Sequence, residues 1–496
     1  MNKRIALLLF AIAVLSIPRT GFGQDRLKYS LQDIIARAKS VSPAALSAQT
    51  RKENLYWQYR FYKSNYNPQL SLNGTLPNYS QSVTAVTQPD GTIEYRGVEQ
   101  SLVDLELGLQ QRITATGGTI SVNSSTSRFD NYLAGEGEDG VRWSGVPVNV
   151  RLSQPIFAYN SLKWDRKIEP LRYEESKKSY VEEMEQISQR ATQLFFNYLL
   201  AQVSFNIASQ NKENSEIIYK IEQGRYNIGT TTEDQLLQVE LQVLEADQDL
   251  ASAKLDLESS SLALKSFIGL NESAEFELVL PDEIPDFVVD VNQAIELAFE
   301  NRSDAVAFER RRLEAEEQVA QAKGQRFNMD LNASYGYNNA ANNLSGVYQD
   351  PNQQAIVNLS VRVPILDWGR NKARMGIATA NQDLVNYTLE QEVITFEQEI
   401  FTQVKNFQQL KDRIVISEKA DVVAAKRYEI SRQRYLSGKV SITDLNIAQT
   451  QKDDNKRRYI SALREYWAAY YELRQLTLYD FQNEQLLYNP DLETKN

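Results

Sequence analysis

The stretch Arg225-Tyr226-Asn227-Ile228-Gly229, with Asp234-Gln235-Leu236 just beyond it, returns 209 residues later as Arg434-Tyr435-Leu436-Ser437-Gly438 with Thr443-Asp444-Leu445. The register between the copies holds without a gap, from Val148 against Val357, through Pro155-Ile156-Phe157 against Pro364-Ile365-Leu366, to Leu264 against Leu473. About 120 residues are therefore duplicated, and whatever architecture one copy adopts the other must adopt as well. The first repeat spans residues 24–269 and the second 291–480. Residues 270–290 link them, with Pro281 and Pro285 as helix breakers, and 481–496 form a tail.

Residues 1–23 read as a secretory signal peptide: Met1-Asn2-Lys3-Arg4 is basic, Ile5 to Ile17 is apolar, and Gly21-Phe22-Gly23 supplies a small-residue cleavage site. The apolar run is shorter than the roughly 20 residues of a spanning helix. No later stretch is apolar enough either, and the mean hydropathy is −0.47. Any membrane passage must then be made by β-strands. The chain has 0 Cys and 0 His, which excludes disulfides, a lipidated cysteine, thiol nucleophiles and the commonest metal ligand. The adjacent acids Asp453-Asp454 and Glu182-Glu183 diverge on a helix by about 100° and make no hydrolase pair. No catalytic, cofactor or metal site is expected. Removing the signal takes Lys3, Arg4 and Arg19 and no acid, moving the net charge from −11 to −14. That balance disfavours nucleic acid and anionic lipid surfaces as partners.

Each half opens with a predicted helix, Leu31 to Tyr66 and Val291 to Gln325, the first with a break or kink at Ser42-Pro43. Alternation then takes over. Leu70 and Leu72, then Leu105, Leu107 and Leu109, Ile120 and Val122, and Val146, Val148 and Val150 are apolar at every second position. The second half repeats this with Leu331, Ala333 and Tyr335 and with Val357, Leu359 and Val361. Period two predicts strands with one dry face and one wet face. Such strands fit a soluble sandwich or a membrane barrel. Long polar tips and the aromatics Trp143, Tyr337 and Tyr348 near strand ends favour the barrel. The first half carries about fifty extra residues here, and Thr116-Gly117-Gly118 predicts a tight turn in an additional hairpin. Two strand pairs are expected in the first half and one in the second, with four to six strands per chain in the wall.

After Pro155 and Pro364, which mark the strand-to-helix transitions, the period changes to seven. Tyr180, Met184, Ile187, Ala191, Leu194 and Tyr198 step by four and three, and so do Leu389, Val393, Phe396, Ile400, Gln403 and Phe407. This spacing predicts left-handed, coiled-coil-like packing of helices on the order of 90 Å long. Gly229 and Gly438 end these helices in a left-handed turn, and Thr232 and Ser441 are the N-caps of the returning helices, which carry Leu236 and Leu445 in their first turns. The tips lie at the opposite pole from the strands.

Several of these segments resemble the TolC family of bacterial outer membrane efflux proteins: Gln154-Pro155-Ile156-Phe157, Val363-Pro364-Ile365-Leu366-Asp367-Trp368-Gly369, Asn67-Pro68-Gln69-Leu70-Ser71-Leu72, and the duplicated Arg-Tyr-x-x-Gly turn. The resemblance implies an α+β membrane protein. Three protomers would share an outer membrane β-barrel continuous with a long periplasmic α-helical coiled-coil barrel. It also implies passive conduction energised by an inner membrane transporter, with a periplasmic adaptor protein docking at the tips, in a tripartite efflux or type I secretion system. Four to six strands are too few to close alone, and edges are prohibitive in lipid, which agrees with a homotrimer. Asp444 matches the family's tip acid, which would form a ring of charge at the constriction; the first repeat has Gln235 there and its acids earlier, at Glu233 and Asp234. Val440 and Ile447 depart from the family's pattern. Arg225 and Arg434 are candidates to hold neighbouring hairpins closed through those acids, or else serve the helix dipole. Tyr226 and Tyr435 are expected to pack the hairpin seam, adaptor contact being the other reading. The competing function is a periplasmic coiled-coil spacer or adhesin with no channel.

Overall fold

The computed structural model describes residues 27–488 apart from 136–138, 272–275 and 282–283; the predicted signal peptide and the end of the tail lie outside them. Strand β1 (Leu27–Tyr29) leads into helices α1 (Leu31–Val41) and α2 (Pro43–Ser64). Four strands follow, β2 (Gln69–Thr87), β3 (Ile93–Ile113), β4 (Gly118–Asn131) and β5 (Val141–Ile156), and then the hairpin of α3 (Ser161–Asn227) and α4 (Glu233–Phe267). After β6 (Phe276–Leu278) the pattern recurs as α5 (Val291–Asn301), α6 (Ser303–Gly324), β7 (Asn328–Ala341), one turn of helix α7 (Leu344–Val347) and β8 (Asn352–Arg362). It continues with α8 (Arg370–Leu436) and α9 (Ile442–Thr477), and the short strands β9 (Tyr479–Asp480) and β10 (Gln485–Leu486) pair in the tail. Both α3 and α8 have 67 residues, so each is about 100 Å long at 1.5 Å per residue.

The opening helix of each half is broken. Ser42 ends α1 and caps α2, its Oγ accepting the Ala45 N–H at 3.0 Å with Pro43 at the first helical position. The second half was expected to hold one helix over Val291 to Gln325, but the chain turns extended at Arg302, the counterpart of Ser42. No proline marks that break. Its cap comes from another helix: Glu182 of α3 accepts the Ser303 N–H and Oγ–H, both at 2.7 Å. The linker also holds structure not foreseen, because β6 pairs in parallel with β1 and buries Phe276.

All six long strands form one antiparallel sheet in the order β2-β3-β4-β5-β7-β8, so the additional hairpin joins the same wall as the others. Its register aligns like with like. Leu70, Leu109, Val122, Val150, Tyr335 and Ala355 form one row across the sheet, and the adjacent residues Ser71, Gly108, Asn123, Asn149, Gly336 and Gln354 form a polar row. Successive residues point to opposite faces, so one face is apolar and the other polar. The apolar face is uncovered: Leu70 is 68% exposed and Val357 76%. Among the described residues, strands β2 and β8 each have a free edge.

The helices form a second open layer. Away from the sheet its order is α4-α3-α9-α8; nearer the sheet α2 and α6 flank α3, and α6 reaches α8. The heptad expectation holds at Ile187, Ala191, Leu194, Tyr198, Leu389, Phe396, Ile400 and Phe407, all buried. Gln403, the polar exception, meets Glu472 at 2.9 Å and shares it with Gln189. At the waist, where α1 and α5 pack on the rods, buried Glu185 takes Lys39 at 2.6 Å and Arg474 at 2.8 Å, and Arg474 also holds Asp480. The outer helices α4 and α8 carry exposed apolar stripes at helical spacing, Leu237, Leu241 and Leu244 on one and Ile416, Val423 and Ile430 on the other.

Candidate functional site at the hairpin tips

The two tips share one backbone design. Gly229 (φ 75°) and Gly438 (φ 69°) stand in the left-handed region that a side chain would strain. The following N–H closes the helix end, Thr230 onto the Arg225 carbonyl and Lys439 onto that of Arg434, each at 2.9 Å. Thr232 and Ser441 then cap α4 and α9 with complete capping boxes, as expected. The third helical residue closes each box. In the first tip this is Gln235, and in the second it is Asp444, whose carboxylate accepts the Ser441 Oγ–H at 2.7 Å and N–H at 3.2 Å. These bonds hold the exposed Asp444 carboxyl below its usual range, with help from the charges of Arg427 and Arg434. The Gln/Asp difference between the copies is therefore a difference between two residues that can both close a capping box.

Among the described residues of this one chain, Arg225 meets none of Glu233, Asp234 or Asp444. Its guanidinium pairs with Glu222 at 2.7 Å, lies 5.3 Å from the Tyr435 ring centre, and donates to the Leu436 carbonyl at 3.3 Å. The Tyr435 hydroxyl donates to the same Glu222 carboxylate. Burial alone would raise the Glu222 pKa, but hydrogen bonds from Tyr435, Thr231 and Arg225 outweigh it and hold the carboxyl below the ordinary range. Tyr435 is pushed up, by burial first and then by Glu222. Glu222 is 4% exposed and is the residue that sequence reasoning missed. Its counterpart in the second repeat is Ser431, and that break in the duplication was the available signal.

The two tips are thus joined within one protomer. Ile218, Val239, Tyr428, Tyr435, Ile442, Leu445 and Ala448 form a small buried cluster, and Gln242 reaches Asn446 at 2.6 Å across the seam. A cleft of about 470 Å³ separates the turns, lined by Glu222, Arg225, Gln235 and Ser441 among others. Tyr435 packs this seam as expected. Tyr226 does not, being 41% exposed. Leu236 is half-buried, and Glu233, Asp234 and Arg434 are exposed. At the other pole, Pro155 is the penultimate residue of strand β5, paired with Asp330, and Pro364 follows β8.

A duplicated chain whose strands form an open sheet with one exposed apolar face, and whose rods form an open layer with hairpin tips, has the sheet-and-rod architecture of a membrane channel subunit. This chain belongs to the outer membrane efflux protein family, whose model matches residues 112–270 and 294–477. Members of that family are outer membrane ducts that reach into the periplasm rather than enzymes. The fold is similar to that of the CmeC outer membrane channel of Campylobacter jejuni (TM-score 0.67, 16% identity, covering 94% of this chain and 89% of that one). It is also similar to the Vibrio cholerae outer membrane protein VceC (TM-score 0.62, 16% identity, 90% and 95%) and to the open-state MtrE channel of Neisseria gonorrhoeae (TM-score 0.60, 17% identity, 90% and 88%). No curated protein matches by sequence.

Proposed function

We propose that three copies of this chain close into one tube that conducts passively, as the exit duct of a tripartite efflux or type I secretion machine. An inner membrane transporter supplies the energy, and a periplasmic adaptor docks at the tips. The observation that carries this reading is that both layers end in matching unpartnered edges. The free β2 edge fits the free β8 edge of a neighbour, giving eighteen strands, and the exposed stripe of α4 fits that of the neighbour's α8. A coiled-coil spacer would leave the apolar row across all six strands in water.

The Glu222–Arg225–Tyr435 cluster acts as a latch in the resting tip. It binds the first hairpin to the second within a protomer, so an iris-like opening that parts the two hairpins must break it. Asp444, one per protomer, places three carboxylates around the axis and favours cations. The absence of native cysteine makes a direct test possible. Cysteines replacing Gln242 and Asn446 would lock the seam when oxidised. Low conductance in planar bilayers, restored by reductant, supports the gate. Conductance indifferent to oxidation, with the disulfide verified, removes it. A protein that stays monomeric and never conducts removes the channel as well.

A further inference from the structure

At the foot of the sheet, where strands give way to rods, lies a cleft of about 620 Å³ that the tip mechanism does not use. Lys163, Lys323 and Arg326 line it together with Phe157, Trp164 and Phe327, and among the described residues no acidic one does. Lys167 adds a fourth positive charge, its Nζ 4.9 Å from the Trp164 ring centre. Two carboxylates stand behind this wall, Glu317, which accepts the Tyr159 hydroxyl, and Asp165, and neither lines the cleft. The cleft is built from three parts of the chain. Asn160 donates to the Thr114 carbonyl at 2.9 Å, tying the turn after β3 to the start of α3. Gly324 lets the end of α6 close on Tyr159, since a Cβ there would lie 2.5 Å from the Tyr159 nitrogen.

Two features show which way the cleft faces. Phe327 precedes β7 in step with Met329, Leu331 and Ala333, the apolar set of that strand, and its ring lies 6.2 Å from that of Phe157. Phe157 itself is 77% exposed with φ 59°, a conformation that costs a bulky residue roughly 1 kcal/mol and persists only where its surroundings hold it. In the second repeat, Trp368, two residues beyond the counterpart of Phe157, also has positive φ and is 89% exposed. Aromatics set at the boundary of an apolar face, beside cations, are the composition of a lipid interface.

We propose that this cleft binds the phosphodiester headgroup of an anionic phospholipid in the periplasmic leaflet, with the acyl chains lying on the foot of the apolar sheet face. The local charge is opposite to the acidic balance of the whole chain, which by itself argued against anionic lipid. The proposal rests on the sheet being the part of the chain in the membrane.

The test uses the full-length protein in detergent, with native mass spectrometry reading retained lipid. Wild type should retain phosphatidylglycerol over phosphatidylcholine by roughly tenfold or more, a modest demand on three cations facing one phosphodiester. The variant Lys163→Gln/Lys323→Gln/Arg326→Gln, whose changes are all at exposed positions, should lose the preference while reconstituting into nanodiscs normally. Equal retention of both lipids by wild type, or an unchanged preference in the variant, overturns the site. Displacement of the lipid by millimolar inorganic phosphate would show a free-anion site and overturn the lipid assignment. If wild type fails to enter nanodiscs at all, the fault lies with the membrane sheet rather than the headgroup site.

Discussion

Removing one hydroxyl at the tip should open the tube. Tyr435→Phe keeps the ring that fills the seam and deletes the donor to Glu222, a carboxylate only 4% exposed. A hydrogen bond to a charged, buried partner contributes roughly 1.5–3 kcal/mol. If opening breaks it, its loss shifts the closed-to-open balance of each protomer by about 2 kcal/mol, or roughly thirtyfold. Glu222→Gln should act in the same direction, because it removes the charge that Arg225 pairs with at 2.7 Å. The double variant should open less than the sum of the two, since both delete one interaction; a coupling of about 1 kcal/mol or more is expected. Open probability of single channels in planar bilayers measures each term. The latch reasoning fails if both single variants lower thermal stability but leave open probability at the wild-type value.

Acid should weaken the same latch. The folded Glu222 carboxyl lies below the ordinary value of about 4.3, so its contribution is complete above that value and is lost as pH falls through the lower folded one. Open probability should therefore rise only below about pH 4, and Glu222→Gln should flatten that rise. At Asp444, Ser441→Ala should cost about 1 kcal/mol of stability through the lost cap with ion selectivity kept, whereas Asp444→Asn should keep an acceptor for the cap and lower cation selectivity. Reversal-potential and melting measurements separate the two effects. Gly438→Ala meets no neighbour within 4 Å but must adopt φ 69°, so a loss of about 1 kcal/mol is expected in denaturant titrations. Arg474→Met leaves buried Asp480 without its cation and Glu185 with Lys39 alone, and should destabilise by about 3 kcal/mol, seen as loss of assembled protein on semi-native gels.

Much of this architecture is local and was readable from the chain. Ser42-Pro43, Thr232 with Gln235, Ser441 with Asp444, and Gly229 and Gly438 form their caps and turns within a few residues of themselves, so their chemistry is written where it acts. Periods of two and seven likewise declared the sheet and the rods, and the Thr116-Gly117-Gly118 turn declared the additional hairpin.

Contacts between distant segments were silent. The break at Arg302 is capped by Glu182, 121 residues away, and β6 finds β1 across nearly 250 residues. Where the two copies carry the same residue they also carry the same local instructions, and the sequence there does not separate them. Tyr226 and Tyr435 hold the same place in the repeat, yet among the described residues only Tyr435 is bonded to a buried carboxylate, that of Glu222 on the other hairpin, while Tyr226 is exposed. Duplication determined that there would be two rods and two turns. Packing decided that one turn carries the latch and that the other is left open at an edge.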